Sequence, residues 1–197
     1  RIIPPAMQIS DGPNIDVVTV SHNHYVHLDI PSLKKLSLKN PETIFLVPKG
    51  DQKLLNRKGI KNTREFLWWE NIEIKQADFT FTPTQHWSAR GLADRNKSLW
   101  GGWFMSFPNF KTFHAGDSGY SKDFQDTQVK LGKPDLSLIP IGAYAPRWFM
   151  KANHVNPEEA LQVALDLGSK KNYAMHWGTL SLTDEETLEP PTLLKKA

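Results

Sequence analysis

The sequence contains no cysteine. Disulfides, thiolate metal ligands and cysteine nucleophiles are therefore excluded, and cysteine usage says nothing about redox compartment. No apolar run approaches the roughly 18 residues of a membrane-spanning helix, and no signal peptide is visible. Long runs of one charge are missing too. The formal net charge is +3 with a pI of about 9.0, and the densest basic groups are "LKKL" and "SKKNY". Charge spread this thinly suits a solvated surface and gives no footprint for specific nucleic-acid binding. There is no internal repeat, no low-complexity tract and no linker long enough to divide the chain, so a single domain over 1–197 is expected. The chain opens on "RIIPP" without an initiator Met, which reads as a fragment or a processed product.

What is present is an ordinary globular composition, 39% hydrophobic and 23% charged. Seven Trp either fill the core or line a site for an apolar ligand. "IDVVTV" (15–20) is dense in β-branched residues and predicts a buried strand, as does "TIFLVPKG" (43–50) followed by a turn. "PSLKKLSLKN" (31–40) predicts a short helix with Pro31 in its first turn, and "TREFLWWE" (63–70) a helix leading to a strand. "IEIK" and "DFTFTP" alternate like half-buried strands; "LWGGWFMSF" and "FKTFHAG" are two more, joined through "PNF". The glycines of "WGGW" suit a close approach of backbones in a strand. "SKDFQDTQVKLG" (121–132) predicts a helix closed by Gly132, "DLSLIPIG" a strand, and "NYAMHWG" (172–178) a last strand. "NPEEALQVALDLGS" (156–169) is the clearest helix. Asn156 suits the N-cap, Pro157 the first turn, and Glu158 and Glu159 the macrodipole, with Ala160, Leu161, Ala164 and Leu165 as its apolar stripe. Strands pair with strands in the middle and alternate with helices later, an α/β pattern.

Three of the seven histidines fall within "SHNHYVHLD", directly after a predicted strand. His22 and His24, two apart, share a face of an extended chain, and His27 needs a bend to join them. Imidazole is the commonest ligand for zinc and similar metals, and three His with a water form a known catalytic shell. Elsewhere His86, Asp117 and His176 each follow a predicted strand, where loops carry chemistry. Taken singly these are a surface His, a turn Asp and a core His; together they supply what a two-metal hydrolytic site requires.

The segments "SHNHYVHLD", "HWSARGLADRNKSLWGGW", "FHAGDSGY", "IPIGAYAPRWFMKANHVNPEEA" and "HWGTLSLTDEETLEPP" resemble the metallo-β-lactamase superfamily, whose signature has the form H-x-H-x-D-H. Within it the chain is most similar to the N-acyl-phosphatidylethanolamine-hydrolysing phospholipase D family and its bacterial relatives. The resemblance implies an αββα sandwich and metal-dependent phosphodiester hydrolysis in lipid metabolism, with N-acyl phospholipids as substrate. It implies His22, His24, His86 and Asp117 as ligands of a first metal, and His27, His176 and the shared Asp117 as ligands of a second. Zinc is the default ion; iron and manganese suit such sites too. His154 matches a family histidine that touches the substrate phosphate or assists proton transfer, the alternative being a buttress for the helix start. Asp29 is expected to orient an imidazole. Arg147 and Trp148 form either a substrate-binding, lipid-facing lip or a packed loop whose Arg pairs with a carboxylate.

Two departures stand out. Val26 occupies the signature's Asp position and has no lone pair to give, so the first metal is expected to be firm and the second weak or empty. Only 21 residues precede His22, so much of the N-terminal half of the fold is expected to be missing and to be completed by self-association or a complementing chain. Three readings therefore stand side by side: a phospholipase D-type phosphodiesterase, a catalytically impaired metal-binding remnant, and a hydrolase of another substrate class on the same fold. Peripheral membrane contact is an expected partner interaction. The sequence names no compartment, the cytoplasm or a membrane periphery being favoured.

Overall fold

The structure is a computed structural model that describes residues 2–197. Contacts group the chain into two compact units. One comprises Pro5–Leu67 and Trp87–Trp100; the other comprises Trp68–His86 and Gly101–Ala197, with residues 2–4.

In the first unit, β1 (Val17–Thr19), β2 (Ile44–Pro48) and β3 (Thr63–Phe66) form a parallel sheet in that order. Parallel neighbours need a crossover, and α1 (Ile30–Lys39) and α2 (Gln52–Arg57) supply the two. The expected helix over 63–70 is corrected. Thr63–Phe66 pairs with Phe45–Pro48 residue for residue, and its ends, Thr63 and Phe66, are buried. A ready parallel neighbour outweighs the local preference. Val20, Leu28, Leu33, Phe45, Val47, Leu55 and Ile60 make this unit's core.

The second unit holds a six-stranded sheet in sequence order: β4 (Asn71–Ile74), β5 (Ala77–Thr82), β6 (Gly102–Phe107), β7 (Phe110–His114), β8 (Leu136–Pro140) and β9 (Lys171–Met175). The first four strands form an antiparallel meander; β7, β8 and β9 are parallel. α3 (Asp123–Leu131) joins β7 to β8, and α4 (Arg147–Met150) and α5 (Pro157–Leu167) join β8 to β9. α6 (Glu189–Lys196) comes last. The glycine pair at the start of β6 behaves as expected: a Cβ on Gly101 would lie 2.2 Å from the Thr82 carbonyl oxygen.

α5 opens with the expected caps. Asn156 accepts from the Glu159 backbone N–H while the Glu159 carboxylate reaches back to the Asn156 N–H. Its buried stripe, however, is Pro157, Ala160, Val163, Ala164 and Leu167, an i, i+3, i+4, i+7 row that faces Phe113, Ile139 and Ile141. Leu161 and Leu165, expected in that stripe, are exposed.

The topology has one direct consequence. β6 reverses the chain between β5 and β7, so β5, β7, β8 and β9 all run the same way. The segments leaving their C-terminal ends therefore emerge along one edge of the sheet, where open α/β sheets place ligands.

Candidate metal centres

That edge carries His86 after β5, Asp117 after β7 and His176 directly after β9. His154 lies just ahead of α5, and Val155 beside it donates its N–H to the Ser118 carbonyl at 2.8 Å. Gln85 and Gly119 form a bridge, and the Gln85 N–H donates to Ser118 Oγ at 3.0 Å, which draws the 86 and 117 segments together. A ring nitrogen of His86, a ring nitrogen of His154 and a carboxylate oxygen of Asp117 lie within 4.8 Å of one another, and all three residues are buried. His176 Nε2 is 3.3 Å from Asp117 Oδ2, and His86 Nε2 is 3.9 Å from the same oxygen.

The proton on His86 can be assigned. Its Nδ1 lies 3.0 Å from the Asn153 carbonyl, which only accepts, so Nδ1–H is the donor. With Nδ1 so occupied, Nε2 is the nitrogen on the Asp117 side, and in the neutral ring its lone pair is the one a metal ligand needs. His176 feels two opposed forces. Burial pushes its pKa down, but the charge and hydrogen bond of Asp117 outweigh this and leave it raised. His176 also holds a left-handed backbone (φ 61°), and Gly142 passes so close that a Cβ there would lie 2.2 Å from the His176 carbonyl oxygen.

The first unit holds the other imidazoles. His22 Nε2 and His24 Nδ1 are 2.9 Å apart with one proton between them. The His22 and His27 ring centroids are 4.1 Å apart, so the bend that His27 requires exists: the N–H groups of His27 and Leu28 both donate to the His24 carbonyl. A cation in place of that proton would meet a lone pair from each ring, and a buried carboxylate flanked by imidazoles suits a cation too. Val26 sits on the outer side of this turn, 48% exposed, and offers nothing to coordinate.

One expectation is corrected, and of one pair of alternatives the second is found. Asp29 does not orient an imidazole: its Oδ2 accepts from the Ser32 backbone N–H at 3.0 Å and caps α1. Arg147 takes the second of its two expected settings, a loop Arg paired with a carboxylate. It makes two bonds to Glu159, at 2.9 and 2.8 Å, and one to the His154 carbonyl at 2.7 Å. Trp148 beside it is 87% exposed, with its ring 5.7 Å from that of Phe149. His154, expected to serve substrate or proton transfer, stands within the metal-capable group. The sequence reading passed over Arg90 and Asp51, which hold the histidine turn. Arg90 lies in the matched segment "HWSARGLADRNKSLWGGW" but was given no role there, Asp51 lies in none, and their distant contacts reveal both.

Fold and site together define a class, a metallo-hydrolase type of domain with clustered His and Asp side chains that could hold a metal. The chain belongs to the β-lactamase superfamily domain family, whose model matches residues 1–177. It is 40% identical over 207 aligned positions to "N-acyl-phosphatidylethanolamine-hydrolyzing phospholipase D 1" of Caenorhabditis elegans, covering 100% of this chain and 58% of that protein. It is likewise 40% identical over 202 positions to the mitochondrial "N-acyl-phosphatidylethanolamine-hydrolyzing phospholipase D" of Saccharomyces cerevisiae, covering 99% of this chain and 43% of that one. The chain thus spans about half the length of these relatives. Among solved structures, a metallo hydrolase of the archaeon Ignicoccus hospitalis superposes with a TM-score of 0.75 at 18% identity, covering 97% of this chain and 77% of that one. The fold is the mixed α/β metallo-β-lactamase fold.

Proposed function

We propose that this chain is a metal-dependent hydrolase whose substrate is a phosphodiester, most specifically an N-acylated phospholipid cleaved on the phospholipase D side of its phosphate. The observation that carries the reading is the buried Asp117 carboxylate flanked by two imidazoles, with His176 Nε2 at 3.3 Å and His86 Nε2 at 3.9 Å from its Oδ2. The substrate class is supported by the two relatives at 40% identity, whose names state that activity.

In the second unit, His86, Asp117 and His176 are the proposed metal ligands; in the first, His22, His24 and His27 offer imidazoles to metal. Zinc suits this donor set, with iron and manganese as alternatives. When bound, such an ion acts as a Lewis acid and lowers the pKa of water to near neutrality. Asp117 supplies the negative charge that offsets the cation and holds His176 in place. His86 is kept in its Nε2-accepting tautomer by Asn153. His154 is positioned to take or give a proton as the diester is cleaved. Exposed Trp148 and Phe149 offer a surface for peripheral membrane contact.

The test is hydrolysis of an N-acyl phosphatidylethanolamine, followed by release of phosphatidic acid. Asp117→Asn is expected to lower the rate more than about a hundredfold, since it weakens both charge balance and ligand orientation. Equal rates in the two proteins would overturn the assignment. A panel of lactone, thioester and diester substrates separates this reading from another hydrolase on the same fold.

A second reading, a catalytically impaired metal-binding remnant, is favoured by Val26, which leaves a gap in the ligand set between His24 and His27. If the chain is inert and Val26→Asp restores diester hydrolysis, the impaired reading stands.

A further inference from the structure

The turn that carries His22, His24 and His27 has no regular secondary structure to hold it, yet its imidazoles sit close together. What keeps it in shape comes from residues remote in sequence. Arg90 Nη1 donates to the Asn23 carbonyl and to the Leu28 carbonyl, each at 2.8 Å. Those two carbonyls bracket the turn: Asn23 lies between His22 and His24, and Leu28 follows His27. The same guanidinium lies over the Tyr25 ring, 4.1 Å from its centroid, and the Tyr25 hydroxyl donates back to the Arg90 carbonyl at 2.8 Å. Arg90 is itself anchored, because the Asp94 carboxylate accepts from the backbone N–H groups of Arg90 and Gly91. From a second direction, Asp51 Oδ1 accepts from Asn23 Nδ2 at 3.1 Å and from Ser98 Oγ at 2.8 Å.

We propose that Arg90 is a positioning residue that sets the spacing of the His22, His24 and His27 imidazoles by gripping both ends of their turn. The inference rests on the reading of these imidazoles as metal ligands, but its geometric content stands apart from any metal. A guanidinium fits the task for three reasons. One of its nitrogens offers two N–H bonds at a fixed angle, enough for two carbonyls. Its plane stacks on an aromatic ring, which an ammonium does less well. It stays charged at every working pH. A lysine would keep the charge and lose the fork, so Arg90→Lys should loosen the turn without emptying it of charge.

The experiment compares wild type with Arg90→Lys and Arg90→Gln, after circular dichroism has shown which variants fold. Lys is the milder change and the one relied on should Gln fail to fold. The first readout is the ring-nitrogen NMR signals of the metal-free chain. Those of His22, His24 and His27 are expected to shift and broaden in Arg90→Lys, while that of His114 on β7 stays in place. Three unmoved turn signals overturn the proposal, and so does an equal shift of His114, which would mean general loosening. The second readout is Co2+ titration with its visible ligand-field spectrum. Affinity is expected to fall about ten- to a hundredfold, as when groups that orient ligands are removed elsewhere, with an altered band pattern. An unchanged affinity and spectrum overturn the proposal. A wild-type chain that takes up no Co2+ at all sinks the metal reading instead, and the ring signals then decide the positioning role alone.

Discussion

Asp51 is completely buried, and burial raises its carboxyl pKa from 3.8 to about 6 despite hydrogen bonds from Ser98 and Asn23. The folded chain therefore keeps a proton that the unfolded chain has already released between these two values. Stability must fall as pH rises through that window and level off above it, the full cost being about 3 kcal/mol. Asp51→Asn cannot ionise, so its urea-denaturation free energy should decline less than that of wild type between about pH 4 and pH 6. Parallel profiles for the two proteins would refute the assignment. At the same scale, Val26 removes one oxygen and one negative charge from the histidine turn. Metal analysis of purified protein should find about one ion per chain, rising towards two in Val26→Asp. Two tightly held ions in the wild type would show that the valine costs nothing.

Helix starts and strand ends decide most of what happens at the scale of elements. α5 begins where Glu159 does two things: it closes the capping box on Asn156 and takes both bonds from Arg147 on α4. The pair is only partly exposed, at 31% and 22%, so solvent screening weakens it without abolishing it. Arg147→Ala and Glu159→Gln are each expected to cost about 1–2 kcal/mol, with about 1 kcal/mol of coupling in the double-mutant cycle. Coupling near zero would make the contact incidental. Some of these elements were legible and others were not. Asn156-Pro157 with two glutamates spelled out the start of α5, because caps act within a few residues. The rotation of α5, which buries Val163 and Leu167 and exposes Leu161 and Leu165, was not legible, because the neighbouring sheet chooses the face. α2, α4 and α6 were missed as helices; α4 has only four residues, too few for a periodic pattern.

Across the whole molecule, the sheets end in open edges. β1 pairs only with β2, and β9, whose residues are mostly exposed, only with β8 among the described strands. Edges of this kind template pairing with another chain. Sedimentation velocity should therefore show association that grows with protein concentration. A single monomer boundary up to high micromolar concentration would contradict it. Among the described residues no helix is long and apolar enough to cross a membrane.

Residue chemistry by itself determined that any metal this chain holds is held without sulfur, that its strands alternate, and that several of its His and Asp side chains follow strands, because lone pairs and side-chain periodicity are local properties. The long matched segments extended this to the family. Which groups meet was decided only by the tertiary structure. Asp29 serves a helix cap, Arg147 serves Glu159, His154 joins His86 and Asp117, and Arg90 grips the histidine turn. Each of these depends on a distance fixed by strand order and direction and by how the connecting loops fold back, and no local pattern along the chain encodes it.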